Sequence, residues 1–252
     1  GSILLTKAST HVTRSNEMTE TPRDDDHMEV RLDTRTSYAD ETEDLGIRIG
    51  DFIAFDPRVE VTNGFVRSRF LDDKAGAAVL LGAVKAVVEH EVSLPVDCHP
   101  LFTISEEVGS GASAALHQDV AEMLTLDNGT TAPGQNSSEF GVTVCMADMS
   151  GPFDYHPTHY MIQLSQEFQI PYQRDIFRYY RSDSAAAVEA GADLRTALAT
   201  FGVDASHGWE RIHWNALESL ARLVTMYMQS PPLFLRDQED IGPRAGFPMQ
   251  AG

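Results

Sequence analysis

The chain has 252 residues, of which 42% are hydrophobic, so it is long enough for one large domain or for a medium domain with a small one. Its formal net charge of −19 disfavours binding to nucleic acid and to anionic lipid, because such a surface repels phosphate groups. No apolar run has the length of a membrane span, and Cys98 and Cys145 are predicted to be reduced, buried thiols. No signal peptide is visible, so we expect a cytoplasmic protein.

The two ends of the chain differ from its centre. Residues 1–62 combine a polar loop with short strand-like segments at 28–32 and 52–55, which predicts a small β-rich domain. Residues 231–252 are rich in proline and glycine and are predicted to form a flexible tail.

Residues 63–230 alternate between helix-like and strand-like segments. Predicted helices cover 74–89, 154–168 and 214–228, and predicted strands cover 97–104, 120–126, 142–147 and 198–203. This alternation predicts an α/β domain with a mostly parallel central sheet flanked by helices.

Acidic residues and one histidine follow these predicted elements. Asp72 opens the first long helix, Glu106 and Glu107 follow the 97–104 segment, and Asp127 and His207 each follow an apolar strand-like run. Each alone has a structural explanation, such as helix capping for Asp72. Adjacent carboxylates repel each other unless a cation or a proton lies between them, and α/β sheets bind ligands where strands end. Carboxylate with imidazole suits zinc, cobalt or manganese, and two such ions can activate water and polarise a carbonyl.

The order of these motifs resembles the TET and glutamyl aminopeptidase family of two-metal metallopeptidases. The strings LDDK, EEVGSGAS and SHGWE carry the resemblance, with the acid Asp127 between the last two. The longer strings PVDCHPLFTISEEVGSGAS, DNGTTAPGQNSSEFGVT and FRYYRSDSAAAVEAG are similar to a subgroup associated with the osmoprotectant N-acetylglutaminylglutamine amide. The resemblance covers nearly the whole chain. It implies that 1–62 is part of an inserted domain, that 63–230 is the catalytic domain, and that the protein is a homo-oligomer.

The resemblance also implies roles for the acidic residues and the histidine. Asp72 would bridge two divalent metal ions, Glu107 and His207 would complete one metal site, and Asp127 would belong to the other. Glu106 would be the general base. Neighbouring residues at a strand end point in different directions, so we expect Glu106 and Glu107 to differ in role.

Three further residues are candidates for substrate binding. Arg178 and Arg181 place two guanidinium groups near the expected site of an otherwise acidic protein, where they would bind carboxylates or amide oxygens. The alternative is that they pair with structural acids such as Asp175 or Asp183. By resemblance, Asp183 lies where the family has a Thr-Asp-Ala motif near the active site.

One element of the family pattern is absent. The second metal site of the family needs a histidine from an H-x-D motif that precedes the inserted domain. His11 is followed by Val-Thr, and His27 lies in an H-x-E string after a charged loop, so neither matches. We therefore expect this chain to hold one metal ion better than two and to have little activity.

The sequence thus favours a metal-dependent aminopeptidase that acts on short peptides or on a peptide-like osmolyte. Two alternatives stay open. One is a metal-dependent amidohydrolase or deacylase of acylated amino acids, which would use the same metals. The other is a non-catalytic metal-binding assembly subunit.

Overall fold

The structure is a computed structural model that describes residues 1–117 and 119–232, so most of the predicted 231–252 tail lies outside the described residues. The chain divides into two compact units, residues 1–54 and 55–252. Composition placed the boundary after residue 62, and the difference is a hairpin that pairs with a strand of the second unit. No helix among the described residues is both long and apolar enough to cross a membrane.

The first unit is built on one antiparallel strand pair. Strand β1 (Ser2–Leu5) pairs with β2 (Met28–Arg31), and two short helices, α1 (Ser15–Glu20) and α2 (Ala39–Asp44), accompany them. The strand predicted at 28–32 is therefore present. The strand predicted at 52–55 is not, because these residues pair with no strand among those the structure describes and Phe52 is fully exposed.

The second unit contains a five-stranded mixed sheet. Its strands are β5 (Glu122–Thr130), β6 (Val142–Asp148), β7 (Gly151–Pro152), β8 (Tyr172–Ile176) and β9 (Arg195–Val203). Their order is β5-β9-β6-β7, with β8 also paired to β6. The pairs β5–β9 and β6–β8 are parallel, whereas β6 runs antiparallel to β9 and to β7. The sheet is less parallel than the sequence predicted because the β5–β6 connection contains no crossover helix, so β6 returns in the opposite direction.

A smaller antiparallel sheet lies in the same unit. It contains β3 (Glu60–Thr62), β4 (Phe65–Ser68) and β10 (Glu210–His213), in the order β10-β4-β3. Strand β4 leads directly into the first long helix, and β10 leads into the last one. The small sheet therefore fixes where both of these helices begin.

Helices cover both faces of the mixed sheet. They are α3 (Leu71–Glu89), α4 (Tyr155–Glu167), α5 (Asp183–Glu189) and α6 (Trp214–Met228). The main core joins α3, α4 and α6 to one face of β6 and β9, through side chains such as Val144 and Phe201. A smaller core around Cys145, Phe177 and Leu198 lies on the other face, since alternate strand residues point to opposite sides. On that face α5 contacts β5 and β9.

Helix α3 shows how the sequence selects one buried face. Ala75, Val79, Ala83 and Val87 recur every fourth residue and are buried, and α3 contacts α6 and β5. The opposite side carries exposed Leu81 and Val88, so the helix has one buried face and one exposed face.

Candidate metal centre

Two clusters of ligand-type side chains share Asp72. We define the open cluster as Asp72, Glu107 and His207, and the buried cluster as Asp72, Asp73 and Asp127. Within each cluster the ligand atoms of the three residues lie within 4.8 Å of one another. Among the described residues, these are the two groups of three side chains that could hold a metal ion. Both line or adjoin one cleft of about 640 Å³.

Different parts of the chain supply the open cluster. Asp72 lies at the start of α3, two residues after Phe70, whose φ of 65° turns the chain out of β4. Glu107 lies in a 3₁₀ turn, Glu106–Val108, and His207 lies in the loop between β9 and β10. The structure thus brings together three residues that are far apart in sequence. The Asp72–Asp73 peptide bond is cis.

The distances within the open cluster fit a shared cation. His207 Nε2 lies 3.3 Å from Asp72 Oδ2 and 3.6 Å from Glu107 Oε2. Two ligand atoms bound to one tetrahedral zinc ion are separated by about 3.4 Å, given bonds of about 2.0–2.2 Å. The His207 side chain is 71% exposed and Glu107 is 55% exposed, whereas Asp72 is 6% exposed. A cation in this cluster would be open to the cleft.

The buried cluster consists of carboxylates only. Burial, reinforced by the charges of Asp127 and Asp72, raises the pKa of Asp73 to about 10. Burial raises the pKa of Asp127 well above its ordinary value, with the charge of Asp72 as the next cause. Asp73 Oδ1 is buried without a hydrogen-bond partner. Three carboxylates this close require protons or a cation for neutrality, so the buried cluster also fits a divalent ion.

Asp127 differs from its prediction in one respect. It was predicted to end a strand, but β5 continues beyond it to Thr130, and Asp127 is paired in register with Thr200 of β9. The next residue, Asn128, donates a side-chain hydrogen bond of 2.7 Å to Asp72 Oδ2 and so connects the two aspartates. Tyr180, whose hydroxyl group is buried, lies beside Asp127. The sequence motifs assigned no role to Asn128 or Tyr180, since neither residue matches a ligand pattern.

Glu106 lies beside the open cluster but belongs to neither cluster. Burial, followed by the charges of Asp183, Glu107 and Asp72, raises its pKa to about 7. The strand predicted at 97–104 is absent, and this segment pairs with no strand among the described residues, with Ile104 fully exposed. Within the 3₁₀ turn, Glu106 is half-buried whereas the adjacent Glu107 is exposed. A carboxyl group that titrates near neutral pH can accept and return a proton.

Asp183 supports the loop that carries Glu106. Its Oδ2 accepts a 2.7 Å hydrogen bond from Thr103 Oγ1, and its Oδ1 accepts a 2.8 Å hydrogen bond from the Ala112 backbone N–H. Asp183 is buried and both oxygens are used within the protein. The structure therefore places it behind Glu106, in contact with the loop.

The two arginines line the cleft in different ways. Arg181 donates a 3.0 Å hydrogen bond to the Gly109 carbonyl oxygen and pairs with Glu189, so neither Asp175 nor Asp183 is its partner. Arg178 is exposed at the cleft, and no ion pair joins it to any residue that the structure describes. Among the described residues that line the cleft, Arg178 is the cation without an ion pair.

Glu210 is a site residue that the sequence did not predict. It is 1% exposed, and its carboxylate accepts hydrogen bonds from the backbone N–H groups of Asp72 and His207, at 3.0 Å and 2.9 Å. The alternation of residues along β10 was a signal of this burial, because Glu210 lies on the same face of the strand as buried Ile212.

Comparison with known proteins identifies the family of this chain. The model of the M42 glutamyl aminopeptidase family matches residues 1–223, and the chain belongs to this family of metallopeptidases. The protein YhfE of Bacillus subtilis (strain 168) is 40% identical over 232 residues, which are 92% of this chain and 66% of YhfE. M42 metallopeptidases depend on divalent metal ions.

Solved structures share the fold. A TET aminopeptidase from the marine sediment archaeon Thaumarchaeota archaeon SCGC AB-539-E09 has a TM-score of 0.76 at 20% identity, over 92% of this chain and 67% of that one. The TET1 peptidase of Pyrococcus horikoshii has a TM-score of 0.66 at 23% identity, over 76% of this chain and 58% of that one. The latter can assemble into a tetrahedron or a large octahedral shell. The chain therefore spans about two thirds or less of the length of these relatives.

Proposed function

We propose that this chain carries the catalytic centre of a metal-dependent aminopeptidase that removes the N-terminal residue from short peptides or from a peptide-like osmolyte. The convergence of Asp72, Glu107 and His207 at one cleft, with Glu106 beside them, supports this proposal most strongly. Membership of the M42 family supports it independently.

The open cluster would hold the first divalent ion, and Asp72 with Asp127 would contribute to a second. Zinc, cobalt and manganese all suit carboxylate with imidazole. Such ions supply Lewis acidity, which polarises a carbonyl group and makes bound water more acidic. The open cluster offers three protein ligands, the usual number for a catalytic zinc. The buried cluster contains no imidazole. We therefore propose one tightly held ion, one weaker ion and low turnover for this chain.

Glu106 would move the proton during hydrolysis. With a pKa of about 7, its carboxylate can take a proton from water and return it to the nitrogen of the departing amine. The carboxyl group of Asp183 favours this pKa through its negative charge and also holds the loop. Asp183 would thus act on the substrate only through Glu106.

Arg178 would bind the substrate. It is exposed at the cleft without an ionic partner among the described residues, and a guanidinium group binds carboxylates in a forked geometry. Arg181 would shape the cleft wall through Gly109. A carboxylate-binding arginine also suits an acylated amino acid, so a deacylase acting through the same residues is the second candidate.

We also propose that the protein forms a homo-oligomer, as the TET1 peptidase of Pyrococcus horikoshii does in its solved structure. Light scattering on the purified protein would test this directly. A monomer at all concentrations would contradict it.

One experiment tests the proposed activity. The chain would be stripped with a chelator, reloaded with zinc, cobalt or manganese, and assayed on aminoacyl, acyl-amino-acid and dipeptide substrates. We expect release from free N-terminal residues that requires metal and that Glu106→Gln removes. Release from acylated substrates alone would favour the deacylase. Metal binding without any release would favour a non-catalytic subunit.

A further inference from the structure

Glu210 joins the two parts of the chain that supply the open cluster. Asp72 follows β4 and His207 precedes β10, and the pairing of these two strands places Glu210 opposite Ser68. Glu210 Oε2 accepts a 3.0 Å hydrogen bond from the Asp72 backbone N–H. Glu210 Oε1 accepts a 2.9 Å hydrogen bond from the His207 backbone N–H. One planar carboxylate thus spans the backbones of two proposed metal ligands.

Besides its bonds to Asp72 and His207, Glu210 has a backbone hydrogen bond with Leu71. Its side chain is almost fully buried, and no lysine, arginine or histidine among the described residues pairs with it. The neighbouring Arg211 instead pairs with Glu139 and Asp204. A buried carboxylate without a cationic partner is costly unless hydrogen bonds satisfy it. Backbone N–H groups do so here, and two of them belong to proposed ligands.

His207 needs an anchor of this kind. Its φ of 63° is in the left-handed region, and its side chain is 71% exposed. A metal-binding histidine usually donates its second ring N–H to a carboxylate or carbonyl, which fixes the ring. No such partner of His207 Nδ1 is present among the residues that the structure describes. Its position therefore depends on its backbone.

Backbone hydrogen bonds also hold the base of the loop that carries His207. Asp204 and Arg211 exchange two backbone hydrogen bonds, of 2.9 Å and 3.0 Å, at the base of the loop. Glu210 then fixes His207 within the loop. Because the same carboxylate also holds Asp72, it keeps the backbones of the two ligands at a fixed spacing.

We propose that Glu210 is a positioning residue that sets the spacing between Asp72 and His207 for metal binding. The inference rests on the proposed metal site. Glu210 touches neither substrate nor metal in this account, and it acts through two backbone N–H groups.

The variant Glu210→Gln tests this role because it keeps the size of the side chain. Its single amide oxygen can accept from only one of the two N–H groups, and its NH₂ group faces the other donor. We expect the affinity for Co²⁺ to fall about 10–100-fold, the range typical when a group that orients a ligand is lost. The Co²⁺ absorption spectrum should also change. The melting temperature in chelator should change little, because removing a buried charge offsets the lost hydrogen bond.

Glu139→Gln is the matched control. Glu139 is also buried and makes a two-pronged ion pair with Arg211, but it contacts no proposed ligand. We expect this variant to lower the melting temperature in chelator and to leave Co²⁺ affinity unchanged. If Glu210→Gln does not fold, Glu210→Asp replaces it, because the shorter side chain keeps the charge but cannot span both N–H groups.

The outcomes separate this inference from the proposed function. A wild-type chain that binds Co²⁺ with an affinity equal to that of Glu210→Gln would overturn the positioning role alone. So would equal loss of Co²⁺ affinity in Glu139→Gln, which would indicate a general effect of stability. A wild-type chain that binds no Co²⁺ would overturn both the metal site and the positioning role.

Discussion

The open and buried clusters share Asp72 but differ in donors and in access. The open cluster includes an imidazole and faces the cleft, with His207 and Glu107 largely exposed. The buried cluster contains carboxylates alone, and burial raises the pKa of each of them. An accessible site with mixed donors can exchange its ion and admit substrate, whereas a buried group of like charges must stay neutralised to be stable. We therefore propose that the open cluster carries the chemistry and that the buried cluster is only neutralised.

The largest expected effect is the loss of turnover on replacing Glu106. Glu106 belongs to neither, so Glu106→Gln should retain metal while turnover falls about 10²–10⁴-fold, the usual contribution of a general acid–base group. Metal content by elemental analysis and turnover on aminoacyl substrates would be measured together. Glu107→Gln is the companion variant and should lose metal as well as turnover. Metal loss in Glu106→Gln with retention in Glu107→Gln would reverse their roles.

The second prediction concerns the difference in donors. His207→Ala should weaken binding of the first Zn²⁺ by more than about a hundredfold, since losing a direct ligand costs more than losing an outer partner. Asp127→Asn should affect only the weaker ion. Calorimetric titration with Zn²⁺ would resolve both. His159→Ala is the control, because His159 stacks on Tyr155 away from both clusters and should bind Zn²⁺ as the wild type does. Equal loss in both histidine variants would remove the distinction between the clusters.

The third prediction tests whether Arg178, at the cleft beside the open cluster, binds substrate. Arg178→Ala should raise KM about tenfold for substrates with a nearby carboxylate and leave kcat unchanged, because one charge-assisted contact is worth about 1.5–3 kcal/mol at most. Esterified forms of the same substrates provide the control and should show no change. Steady-state kinetics on the acid and ester pairs would decide it. An unchanged KM for every substrate would mean that Arg178 does not bind substrate.

The smallest expected effect is on stability and comes from the buried cluster. The pKa of Asp73 is raised to about 10, so the folded metal-free chain keeps a proton that the unfolded chain releases near pH 4, a typical aspartate value. The resulting stability is complete below about pH 4 and declines as pH rises toward 10. The melting temperature in chelator should therefore fall by a few degrees from about pH 5 to about pH 8.

Two comparisons sharpen this measurement. Asp73→Asn cannot titrate and should show a weaker dependence on pH over the same range. Saturating Zn²⁺ should also reduce the dependence, because a bound cation replaces the protons. A melting temperature that rises with pH in the metal-free wild type would contradict the account of the buried cluster.

The sequence predicted elements well where local pattern decides them. Helix α6 runs from Trp214 to Met228 as expected, and α3 begins only slightly earlier than predicted. The predictions failed for elements that depend on residues distant in the sequence. The apolar 97–104 segment pairs with no described strand, and the direction of β6 depends on a connection that lacks a helix. Strand formation depends on such pairing more than on composition.

The candidate site also divides into residues that local motifs predicted and contacts that only the fold creates. Motif order identified Asp72, Glu106, Glu107, Asp127 and His207, and the structure places all five around one cleft. The contribution of Glu210 was not predictable, because it acts on backbone N–H groups of residues that only the fold brings near. Asp183 was predicted at the cleft but supports the loop behind Glu106. Side-chain motifs do not report such backbone contacts.

Anomalous diffraction at the zinc edge, from crystals of the chain supplied with limiting Zn²⁺, would locate the first ion that binds. We expect this ion between Asp72 Oδ2, Glu107 Oε2 and His207 Nε2, and we expect the buried cluster to fill only at higher Zn²⁺. A first ion in the buried cluster, or no ion at either cluster, would contradict it.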